Sequence, residues 1–132
     1  MITTHRGTHL SVQHFRASAY LRVIRSEAPF KSVVEVGAAI GACRPALKGV
    51  AGAHYGILFD WRLGPISTDP NLLKALAEQI DALAEPFARK AILLSTPVGA
   101  MQASRVGRTL GNKEMAVFFD DEVAAVDHVT RS

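Results

Sequence analysis

Cysteine is almost missing from this sequence, with Cys43 the single one. No intrachain disulfide can form, and no zinc site built on several thiolates can be assembled. Long apolar runs are lacking as well. Nothing approaches the roughly 18 consecutive apolar residues of a membrane span, and Met1–Gly7 has no secretory-type apolar stretch. Together these point to a cytoplasmic, reducing setting. Blocks of one charge are also missing: 15 Lys and Arg are scattered among 12 Asp and Glu, for a net charge of +3. Nucleic-acid binders gather their basic residues on one face, so no nucleic-acid partner is expected. There is no glycine-rich phosphate loop and no His-Glu-x-x-His pair. The histidines at 5, 9, 14, 54 and 128 are dispersed. Neither a metal nor a cofactor is expected.

What is present suits one globular domain over residues 1–132, with 1–8 expected as an N-terminal tail. A chain of 132 residues that is 48% hydrophobic has ample material for a core. Leu10 and Val12 alternate with polar residues, as do Ala19, Leu21 and Val23, which predicts a hairpin connected through Arg16–Ser18. Its polar alternation suits a sheet edge, and such an edge could pair with a second copy to make a homodimer. From Lys31 to Leu47, the spacing of Val33, Val34, Ile40, Cys43 and Leu47 predicts a helix rich in Gly and Ala, which Pro45 should end or kink. Cys43, on its apolar side, fits a small buried residue.

Three apolar runs follow, Ile57–Phe59, Ala91–Leu94 and Met115–Phe119. Runs without polar alternation suit strands covered on both faces. Between the first two, Leu73, Leu76, Ile80, Leu83 and Phe87 mark one face of a helix from Pro70 to Phe87, with Asp69 as N-cap and Pro70 in the first turn. Thr96-Pro97 opens another helix to about Leu110, stopped by Gly111-Asn112. Asp120-Asp121-Glu122 opens a last one through Val129. The predicted order is β-β-α-β-α-β-α-β-α, an α/β fold with a mixed, mostly parallel sheet flanked by helices.

That order, together with Leu58-Phe59-Asp60-Trp61-Arg62, Asp69-Pro70, Ala91 through Gly99, Met101-Gln102, Arg105 and Val117 through Glu122, resembles the STAS or SpoIIAA-like domains, small uncharacterised bacterial members above all, and their CRAL-TRIO fold relatives. The resemblance implies a non-enzymatic module of bacterial regulation that binds a protein partner. STAS antagonists carry a phosphorylatable serine in the loop after the third strand, and Ser67 or Thr68 takes that position here. Their Asp-Ser followed by glycine does not occur. The implied contact surface is Trp61, Arg62, Ser67, Thr68, Asp69 and Arg105. Kinship with CRAL-TRIO proteins implies instead a carrier of a small apolar or lipid ligand.

The residues also admit plainer readings. Ser67 and Thr68 precede a helix N-terminus, where they serve a capping turn as readily as a phosphate. Asp60 can pair with Arg62 or Arg105. Asp60 with Asp120 or Asp121, at the ends of parallel strands, would also suit magnesium and a phosphoryl group, although the helix they open already accounts for Asp120 and Asp121. Gly99, Ala103 and Gly107 recur at four-residue spacing, which serves close packing on a sheet. No motif specifies a reaction.

Overall fold

The computed structural model describes residues 1–50, 54–65, 69–95 and 117–131. Its strands are β1 (Ile2–Arg6), β2 (Leu10–Phe15), β3 (Tyr20–Arg25), β4 (Gly56–Asp60), β5 (Arg89–Leu93) and β6 (Val117–Phe119). The helices are α1 (Val33–Leu47), α2 (Pro70–Ala84) and α3 (Glu122–Thr130). All six strands share one sheet in chain order. β2 runs antiparallel to both β1 and β3, whereas β3, β4, β5 and β6 are parallel. The chain is therefore α/β with a mixed sheet.

Side-chain alternation decides which face of each strand meets which helix. Leu10, Val12, Leu21, Val23, Ile57, Phe59 and Ile92 form one core with α1 and α2. Tyr20, Leu58, Ala91 and Leu93 form a second, on the opposite face, with Ala125 and Val129 of α3. β4 is buried along its whole length because both layers cover it. Gly56 permits the closest approach: a Cβ there would lie 2.1 Å from the carbonyl oxygen of Val129. α3 therefore sits almost on the backbone of β4.

Local signals explain the helix ends. Ser32 caps α1 by accepting from the Glu35 N–H, and Asp69 caps α2 by accepting from the Asn71 N–H. Asp121 does the same for α3 through Val123 N–H.

Several expectations need correction. Ile2–Arg6, expected within a tail, is the edge strand β1, held to β2 with an irregularity between Thr3 and His5. The tight turn Gly7–Leu10, closed by Gly7 N–H to Leu10 O at 2.9 Å, folds it back. Pro45 falls inside the last turn of α1, which continues to Leu47. The buried stripe of α1 is Val36, Ile40, Cys43 and Leu47, while Val33 and Val34 face solvent. α2 stops at Ala84 rather than Phe87, since Pro86 has no N–H to continue the ladder. Phe87 is nevertheless buried. The helix expected over 96–110 lies outside the described residues.

Candidate functional site

The carboxyl ends of β3 and β4 bring functional side chains out on both faces of the sheet. In open α/β sheets ligands bind in crevices at such ends. Parity sorts them: Arg22 and Asp60 go with α3, whereas Arg25 and Trp61 go with α1 and α2.

On the α3 side, Asp60 is almost fully buried. Arg62 grips it with two donors, Nε to Oδ1 at 2.9 Å and Nη2 to Oδ2 at 2.7 Å, and its backbone N–H adds a third at 3.3 Å. Arg62 Nη2 also reaches Glu122 Oε2 at 2.6 Å. Arg22 Nη1 stands behind, 4.0 Å from Asp60 and 3.8 Å from Glu122. Burial alone would raise the Asp60 pKa, but the hydrogen bonds and charge of Arg62, with Arg22 behind, hold it below the usual carboxylate value. Asp60 in turn raises that of Arg62. Two cations face two anions, and the set is electrically closed.

On the other side a cleft of about 330 Å³ opens between the N-terminal halves of α1 and α2. Its walls include Phe30, Val36, Trp61, Leu72 and Leu76, with Arg25 and Asp69 among the polar groups. Arg25 is only 3% exposed. Its Nη1 donates to the Ser26 carbonyl at 3.0 Å, and its guanidinium lies 4.2 Å from the centre of the Phe30 ring. Trp61 meets Phe59 edge-on at 5.5 Å, and its indole N–H has no hydrogen-bond acceptor among the described residues. Gly64 packs on the Arg25 stem so closely that a Cβ would come within 2.8 Å of Cγ.

Of the residues singled out from sequence, Trp61, Arg62 and Asp69 stand at this edge, with Trp61 and Asp69 on the cleft and Arg62 on the ion network. Ser67, Thr68 and Arg105 lie outside the described residues, as do Thr96, Gly99, Ala103 and Gly107. Asp60 is paired with Arg62, and Asp121 caps α3. Among the described residues no group of three or more His, Cys, Asp or Glu is placed to hold a metal ion, and no helix is long and apolar enough to cross a membrane. Cys43 is fully buried, which pushes its thiol up to about 11. His14 bonds Tyr55 Oη at 2.9 Å, and His9 contacts Glu35 at 2.9 Å.

Sequence reasoning missed Arg25 and Arg22. For Arg25 a signal existed: the alternation Leu21, Val23, Arg25 puts a charge at a core-facing position. No known family model, curated protein or solved structure matches this chain.

Proposed function

We propose that this chain acts by binding rather than by covalent chemistry, as a STAS or SpoIIAA-like module whose contact site is the carboxyl edge of β3 and β4. What supports this reading is the state of the acids there. Asp60 and Glu122 are held by Arg62, and Asp121 by its cap, so these carboxylates serve the fold. The rim beside them is exposed and partly apolar, with Leu63 58% and Val123 76% accessible next to Arg62 and Glu122. A protein partner of mixed apolar and charged character fits that rim. Because both side chains face solvent, Leu63→Glu with Val123→Glu should leave the thermal transition in place. The same change should remove the protein that co-purifies with the wild-type chain from its native cells. An unchanged co-purifying set would overturn the partner site.

A second reading, a carrier of a small apolar ligand, is favoured by the cleft. At about 330 Å³ it falls at the small end of ligand sites. Native mass spectrometry of the gently purified protein tests it: an added mass released by denaturation supports carriage, and a bare chain that also takes up no added amphiphile refutes it.

A further inference from the structure

We propose that the cleft between α1 and α2 binds a small amphipathic monocarboxylate, with Arg25 receiving the carboxylate and Phe30, Val36, Trp61, Leu72 and Leu76 enclosing the apolar body. This deepens the small-ligand reading above and rests on it. The central observation is a buried cation with no counter-ion among the described residues. Arg25 is 3% exposed, yet among the described residues its guanidinium is partnered by one carbonyl and one aromatic face. Among the described residues no carboxylate comes within ion-pair reach of it, although Arg22 and Arg62 a few ångströms from Asp60 each have one. Burying an unpaired charge costs several kcal/mol in general. Burial lowers the Arg25 pKa accordingly, but a guanidinium stays charged at neutral pH.

A ligand carboxylate would supply the missing charge in the two-pronged geometry that guanidinium favours. Arg25 lines the cleft, and among the described residues only its Nη1 has a protein acceptor. Gly64 against its stem holds the side chain in place. The rest of the site sets the ligand class. A single cation among the described residues of the wall suits one negative charge better than a phosphate dianion. Mostly apolar walls call for an apolar body, and about 330 Å³ suits a short chain or one ring better than a long-chain lipid.

Trp61 is the only tryptophan in the chain and lines the cleft, so its fluorescence reports occupancy directly. The purified full chain is titrated at neutral pH with octanoate, octanol, octylamine and inorganic phosphate, with calorimetry as a second readout. Octanoate should bind saturably and roughly tenfold or more tighter than octanol, the usual size of a charge-assisted hydrogen bond. Octylamine and phosphate should bind worst. Arg25→Met keeps the apolar stem and should reduce octanoate to the level of octanol, with circular dichroism confirming the fold. Leu76→Trp should fill the cleft and abolish both, read by calorimetry. Equal affinity for octanol and octanoate in the wild type would overturn the role of Arg25 while leaving small-ligand carriage standing, and this comparison needs no variant to fold. Tighter binding of phosphate would overturn the monocarboxylate class. Octanoate binding untouched by Leu76→Trp would overturn the location. No binding of octanoate or octanol would overturn both this inference and the carrier reading.

Discussion

At the carboxyl edge of β3 and β4 the two faces of the sheet handle charge in opposite ways. Beneath α3, Arg22 and Arg62 meet Asp60 and Glu122, and every formal charge has an opposite beside it. Beneath α1 and α2, Arg25 is buried more deeply than either of those arginines but faces a carbonyl, a phenyl ring and an open cleft. A closed set of charges stabilises the fold around it and offers little to an incoming molecule. An unmatched charge in an apolar cleft does the reverse, lowering stability while creating a place for an anion.

Substitutions can break or sharpen that contrast. The largest effect is expected at Gly56, which seats α3 over the closed network. Gly56→Ala drives a methyl group into the Val129 carbonyl and should destabilise by about 3 kcal/mol, measured by urea unfolding. Comparable stability to wild type would mean that α3 is not pinned to β4.

Next comes Asp60. Asp60→Ala leaves Arg22 and the half-exposed Arg62 without their shared anion, and should cost about 2 kcal/mol after allowing for the solvent that reaches Arg62. The pH dependence gives a sharper check. The folded pKa of Asp60 lies below its unfolded value of about 3.9. Its stabilising contribution is therefore fully present above that unfolded value and fades as pH falls through the folded one. Wild type should lose more stability than Asp60→Asn between about pH 5 and pH 2. Parallel curves would show that the Asp60 pairing is energetically idle.

The smallest effect is expected on the other face. Arg25→Met removes an unmatched buried cation while keeping its packing, so stability should change by less than about 1 kcal/mol, or rise. A loss as large as that of Asp60→Ala would mean that Arg25 is as structural as its counterparts under α3.

Much of the fold was legible because its signals are local. Ile57–Phe59 and Ala91–Leu94 carry no polar alternation, which is what cover on both faces requires, and these segments proved to be neighbouring parallel strands. Asp69 before Pro70, and Asp121 before Glu122, announced helix starts that depend on nothing beyond the next few residues. Ile2–Arg6 was missed because an edge strand is held by main-chain hydrogen bonds, and its side chains show almost no buried stripe. In α1, Gly and Ala occupy so many positions that Val33, Val34 and Val36 compete to mark the inward face. Contact with β2 and α2 chose Val36.

The site divides in the same way. Asp60 with Arg62 is a pair two residues apart and could be foreseen, but Arg22 and Glu122 join it only through the β3–β4 register and the seating of α3. By itself the sequence determined the period of each element, its caps and the core-facing parity of Arg25, since these follow from backbone geometry over a few residues. Only the tertiary structure decided that Arg22 would meet carboxylates and that Arg25 would meet none among the described residues. Side chains that alternate along one strand enter different layers, and the partners they find there come from segments far away in the chain.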